Sequence, residues 1–204
     1  MRGAWLTAGA AMLLAVACGG GKGGVPDAGS GGPGLGESTA APTGTAFVPP
    51  AGVSVVSLSG AACAAGVPQM GLGPGYVDLC GKVNTIDGGV AQLTLPGGLI
   101  VISDAIDTQN GLFIITRTAA VDGGGQVQFR FFCLNASRHG AGANSTFRLG
   151  PVTDNAGLKE IVQILQGKTL GSPTAVDVIQ SAVWNVTDFG GLTDQDRKDL
   201  RALP

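Results

Sequence analysis

Glycine is crowded toward one end of this chain, and that crowding limits what can fold. Ten of the 18 residues from Gly19 to Gly36 are glycine, with Pro26 and Pro33 among them. No apolar pattern follows until Phe47, so residues 18–51 cannot bury enough surface to offset their ordering entropy, and they read as a flexible tether. At about 5–6 Å × √n, a tether of roughly 30 residues holds its ends about 30 Å apart. No strand precedes these glycines and no Gly-Lys-Ser/Thr follows them, which argues against a phosphate-cradling loop. The folded part is therefore expected over residues 52–204, with one core. The 44% hydrophobic fraction supports such a core. A net charge of −2 gives no field for a nucleic-acid backbone, and a single histidine leaves little for a zinc site or a Ser–His–Asp triad.

Ahead of the tether, Arg2 and the apolar run Ala4 to Ala17 have the form of an export signal. The run is shorter than the roughly 20 residues that a membrane-spanning helix needs. It ends Leu14-Ala15-Val16-Ala17-Cys18, which resembles the lipobox of bacterial lipoproteins, with alanine where leucine is usual three residues before the cysteine. The resemblance implies removal of residues 1–17, acylation of Cys18 and a membrane partner through the lipid, since multiple chains hold where one does not. An ordinary signal peptide cleaved nearby would instead leave Cys18 unmodified. Gly19 is not the acidic residue associated with retention at an inner membrane. The expected location is thus the cell envelope, at the outer membrane or cell surface.

The expected fold class is α+β: an antiparallel β-sandwich or partly closed barrel followed by two or three helices packed on it. Short β-branched or alternating runs lie at 53–58, 90–95, 99–102, 112–116 and 127–133, separated by Gly, Pro and Asp-Gly signals. Val127, Phe129 and Phe131 share one face, Gln128 and Arg130 the other. Asp122-Gly123 suits a hairpin turn before that strand. After Pro151 the period becomes helical. Asp154 or Asn155 can cap a helix carrying Leu158, Ile161, Val162 and Leu165, and Gly167 stops it. Ser172-Pro173 starts a second helix, and Thr193 with Asp196 forms a capping box for a third.

With Cys18 taken by lipid, three cysteines remain: Cys63, Cys80 and Cys133. An odd number in an oxidising compartment leaves one outside any internal disulfide. Cys63 and Cys80 lie in the glycine-rich early region where a cross-link contributes most, and closing that loop is worth about 3 kcal/mol. Pairing of Cys133 with either remains open, as does an inert buried thiol.

Phe132-Cys133-Leu134-Asn135 resembles the cysteine motif of bacterial thioester domains: an aromatic, the cysteine, an aliphatic residue, then Asn or Asp. Ile179-Gln180-Ser181-Ala182-Val183-Trp184 is similar to their second motif, Thr-Gln-X-Ala followed by tryptophan, with isoleucine in place of threonine. The likeness covers roughly Leu95 to Pro204, and the two motifs stand 47 residues apart. It implies an internal bond between the Cys133 sulfur and the Gln180 acyl carbon, as in Gram-positive adhesins that capture an amine on a partner surface. The activity implied is covalent adhesion without enzymatic turnover or cofactor. Chemistry alone allows it: a positioned thiolate displaces ammonia from a carboxamide, helped by effective molarities of about 10⁵ M or more. The bland alternative is a carboxamide that hydrogen-bonds strand ends in a structural or ligand-binding envelope lipoprotein. An unpartnered buried glutamine costs about 1–3 kcal/mol, so some such role is required. His139, six residues after Cys133, and Asn135 are candidates for assisting proton transfer, though His139 also suits an exposed loop. Asp104, Asp107, Asp122 and Asp154 lack calcium-loop spacing, and no metal site is expected.

Overall fold

The structure, a computed structural model, describes residues 31–72 and 76–204. Its elements in chain order are β1 (Gly44–Ala46), β2 (Val53–Ser59), β3 (Gln69–Met70), β4 (Val77–Thr85), β5 (Val90–Leu95), β6 (Leu99–Ser103) and β7 (Gly111–Leu112), then β8 (Arg117–Asp122), β9 (Gln126–Cys133), β10 (Thr146–Thr153), α1 (Ala156–Leu165), α2 (Pro173–Thr187) and α3 (Asp194–Ala202). Six strands, β10-β2-β4-β9-β7-β6, form a closed antiparallel barrel because β10 pairs with both β2 and β6. β1 continues along β10, β3 lies parallel beside β9, and β5 with β8 forms a separate antiparallel ribbon. The fold is α+β, as the switch of period along the chain predicts.

Alternation along β9 and β6 divides the apolar residues into two cores. Val127, Phe129, Phe131 and Cys133 of β9 face the barrel interior with Leu99 and Val101 of β6. Phe132 and Leu134 face outward with Ile100, and there they meet Leu158, Ile161 and Leu165 of α1 and Val176, Ile179 and Val183 of α2. The helices begin where their capping residues dictate. The Asn155 side chain accepts from the Leu158 N–H, Ser172 accepts from the Ala175 N–H with Pro173 in the first turn, and Thr193 and Asp196 cap each other. Arg197 then donates to both carboxylate oxygens of Glu160, at 2.7 and 2.9 Å, joining α3 to α1.

Cys63 and Cys80 form a disulfide, with Cα atoms 5.1 Å apart, which decides the pairing that the sequence leaves open. Cys133 takes no part in it.

Three local expectations change. Residues 112–116 do not form one strand: β7 ends at Leu112, although Phe113, Ile114 and Ile115 stay buried. The Phe113 carbonyl accepts from Gly98 and its N–H donates to the Leu99 carbonyl, so the chain stays beside the start of β6 for one more residue. The turn at Asp122 exists, closed by the Gly125 N–H on the Asp122 carbonyl at 2.9 Å. It joins strands of two different sheets, β8 pairing with β5 and β9 with β4 and β7. The largest change concerns the tether. Residues 31–46, placed by composition in the span 18–51, are packed along the domain. The Gly31 N–H donates to the Thr187 carbonyl and the Gly36 N–H to the Leu134 carbonyl, both at 3.0 Å. Leu35 is buried in the helix-side core, and β1 pairs with the last residues of β10. Gly36 has φ +54°, and a Cβ there would lie 2.4 Å from the Thr187 carbonyl oxygen. Here glycine permits close approach of two backbones rather than freedom. The signal-peptide and lipid-anchor residues, Cys18 included, lie outside the described residues.

The docked segment makes a direct prediction. Leu35→Ala should lower stability by about 2–5 kcal/mol, read as a lower urea midpoint. A flexible tether would leave the midpoint unchanged.

Candidate functional site

The end of β9 presents an edge that its neighbour does not cover. In an antiparallel ladder, alternate residues direct their N–H and C=O to the same neighbouring strand. The Phe131 carbonyl accepts from Tyr76 at 3.2 Å, and Phe131 pairs with Val77, the first residue of β4. Cys133, two residues further, directs its polar backbone the same way, beyond the end of β4. The Gln180 side chain occupies that edge. Its Oε1 accepts from the Cys133 N–H at 2.8 Å, and its Nε2 donates to the Cys133 carbonyl at 2.9 Å. Cys133 is 0% and Gln180 1% exposed, so the pair is shielded from bulk water.

Helix α2 places that carboxamide. Val176, Ile179 and Val183 fix its buried face on β9 and α1, and Gln180 falls at the margin of that face. One turn before it stands Asp177 and one turn after it Trp184. Tyr76 spans these two. Its hydroxyl is 2.6 Å from Asp177 Oδ1, and its ring centroid is 6.2 Å from that of Trp184 and 6.5 Å from that of Phe132. Tyr76 packs against both cores, at the seam between barrel and helices.

The two predicted residues are thus brought together, and the contact between them is made by the Cys133 main chain. The Cys133 side chain belongs to the barrel-interior core with Phe129 and Phe131. Three side chains carry buried atoms without a hydrogen-bond partner among the described residues: Trp184 through Nε1, Gln109 through both ends of its amide, and Arg130 through Nε, which stands 3.8 Å from Asp78 Oδ1. Gln109 is fully buried and lies two residues before Gly111, which pairs with Cys133. No local motif marks Gln109 or Tyr76, whose places depend on strand register, or Asp177, which meets Tyr76 only through the packing of α2.

Asn135 and His139 do other work. The Asn135 Oδ1 accepts from the Asn110 N–H at 2.8 Å, and its Nδ2 donates to the carbonyls of Gly36 at 2.7 Å and Gly34 at 3.3 Å. The Nδ2 end thus holds the segment containing Leu35 and the Oδ1 end holds the backbone just before β7, which leaves neither for proton transfer. His139 is exposed, and its backbone links two loops through the Asp107 carbonyl and the Gln109 N–H. Asp188, at the end of α2, accepts from the Ala136 N–H at 3.1 Å and from the Thr187 hydroxyl at 2.5 Å. Burial pushes its carboxyl above the ordinary aspartate value, against the pull of those hydrogen bonds. Burial likewise draws Arg138 down, opposed by the charges of Glu37 and Asp188. Glu160 moves below the ordinary glutamate value, chiefly through its hydrogen bond from Arg197.

Among the described residues no group of three or more His, Cys, Asp and Glu could hold a metal ion. No helix among them is long and apolar enough to cross a membrane. Comparison of the chain with protein-family models, curated proteins and solved structures finds no match.

Two outcomes follow from this geometry. Gln180→Met keeps the volume but strands the N–H and C=O of Cys133, so it should destabilise the domain by about 2–6 kcal/mol, at 1–3 for each buried group; chemical denaturation measures it. Asp188 titrates higher in the folded chain than in the unfolded one. It therefore costs stability above its folded pKa, and the cost disappears as pH falls through that value. Asp188→Asn should be more stable than the parent protein at neutral pH, with the difference shrinking in acid, as followed by thermal unfolding across pH.

Proposed function

We propose that this chain is a surface-anchored lipoprotein whose β-rich domain forms an internal Cys133–Gln180 thioester and uses it to capture an amine on a partner surface. The observation that carries the reading is the seating of the Gln180 carboxamide on Cys133, both buried. The Cys133 N–H already donates to Gln180 Oε1, the oxygen on which negative charge grows when sulfur attacks Cδ. A preset donor at that atom is the arrangement that lowers such a barrier.

The chemistry balances within the chain. The Cys133 sulfur bonds to Cδ of Gln180 as the carbon–nitrogen bond breaks, and the thiol proton departs on nitrogen as ammonia. An incoming primary amine then attacks Cδ, the carbon–sulfur bond breaks, and the proton lost from the amine ends on sulfur. The partner is left joined to Gln180 by an amide. Phe131 and Trp184 share the barrel-side core with Cys133, and Phe132 and Val183 lie in the helix-side core, apolar surroundings that protect an acyl–sulfur bond from hydrolysis. The lipobox-like run ending at Cys18 supplies the anchor in this reading, and the cell envelope the location.

A second reading has its own support. The same two hydrogen bonds complete the open edge of β9, and the Cys133 side chain lies on the barrel side of the strand. On that reading Gln180 is a structural amide in an anchored envelope protein that binds without covalent capture.

Intact mass separates the two. Capture predicts that the purified chain weighs one ammonia less than its sequence, that the loss vanishes in Cys133→Ala and Gln180→Ala, and that methylamine adds to the parent protein at Gln180. An unmodified mass in the parent protein establishes the structural reading instead.

A further inference from the structure

One aromatic residue, Tyr76, joins the strand and the helix that carry the Cys133–Gln180 pair. Along α2, Asp177, Gln180 and Trp184 follow at spacings of three and four, so they lie on one face. Tyr76 touches the first and last of these, through its hydroxyl at 2.6 Å and its ring at 6.2 Å, and its N–H is bonded to Phe131 on the strand that carries Cys133. Gln180 is therefore bracketed on the helix by two residues that Tyr76 holds, and on the strand by the residue next but one to Cys133. Tyr76 is half-buried and Asp177 exposed, while Gln180 and Cys133 are buried. The order from solvent inward is Asp177, Tyr76, then the carboxamide.

Resting on the capture reading, we infer that Tyr76 is the cover through which a nucleophile reaches Gln180, and that Asp177, bonded to its hydroxyl on the solvent side, selects a primary amine. In the structure the Asp177 carboxylate is engaged by the phenol. Displacement of Tyr76 by an incoming ammonium frees that carboxylate one helical turn from the acyl carbon. A carboxylate there attracts the cation and takes up its proton, leaving the neutral amine to attack Cδ. As the amide forms, the proton that the attacking amine sheds goes to the departing sulfur, and the one held by Asp177 passes to solvent, so Asp177 ends as it began. A neutral nucleophile such as water gains nothing from the carboxylate and meets the ring first. Tyr76 thus acts as a positioning residue and Asp177 as a specificity residue for the amine class.

The test uses the full chain and methylamine as probe, with adduct formation and hydrolysis both read by intact mass. Tyr76→Phe keeps the ring and frees Asp177, so methylamine addition should quicken severalfold while hydrolysis stays at the parent rate. Tyr76→Ala should quicken both. Asp177→Asn should retain the ammonia loss but slow methylamine addition by about a hundredfold, the range of an assisting acid or base. Ammonia loss in all four proteins with equal methylamine rates would overturn the inference and leave the capture reading standing. Absence of ammonia loss in the parent protein would overturn both.

Discussion

The side-to-side alternation of β9 organises the molecule. One set of its side chains fills the barrel, and on the other face Phe132 meets the helices, so a single strand of eight residues belongs to both cores. At its end the neighbouring strand stops before the backbone needs stop. Buried N–H and C=O groups must be paired, and the chain meets that demand with a side chain from α2. The position of Gln180 is thus an outcome of where β4 begins as much as of where α2 runs. Whatever chemistry occurs at Cys133 is built upon this substitution of a carboxamide for a strand.

The helices were the most legible part of the fold, because their start signals are local. Asn155, Ser172-Pro173 and Thr193 with Asp196 each cap the helix their spacing predicts. Strands carrying a glycine or proline were harder to read. β4 holds Val77, Leu79 and Val83 on its inner side at period two, but Gly81 interrupts the series. A Cβ at Gly81 would lie 2.4 Å from the Phe129 ring, so the gap in the apolar pattern is what the packing requires. β10 contains Gly150 and Pro151, which read as a break. The strand absorbs them where its register against β6 shifts, between Leu149 and Val152, and where it turns from β2 toward β1.

Glycine misled in the opposite sense at the other end. A run of glycine and proline has the same composition whether it swings in solvent or threads between two backbones. The difference lies in Leu35, one apolar residue with a pocket waiting, and in Asn110 and Asn135, whose amides meet carbonyls that carry no side-chain signal. The candidate site shows the same division. Two short motifs found Cys133 and Gln180 across 47 residues. They could not show that the amide would engage the backbone of Cys133, nor that Tyr76, far earlier in sequence, would lie over the seam. Those facts belong to register, which no local pattern encodes.

The docking of residues 31–36 has a mechanical meaning. Their bonds reach Thr187 at the close of α2 and Leu134 immediately after Cys133. Tension drawn along the chain from before Gly31 enters the domain at this junction of helix and strand. If the domain were held at Gln180, the stress would cross a short stretch of α2 and the end of β9. The rest of the barrel would lie outside the line of pull, and its strands would have no occasion to unzip.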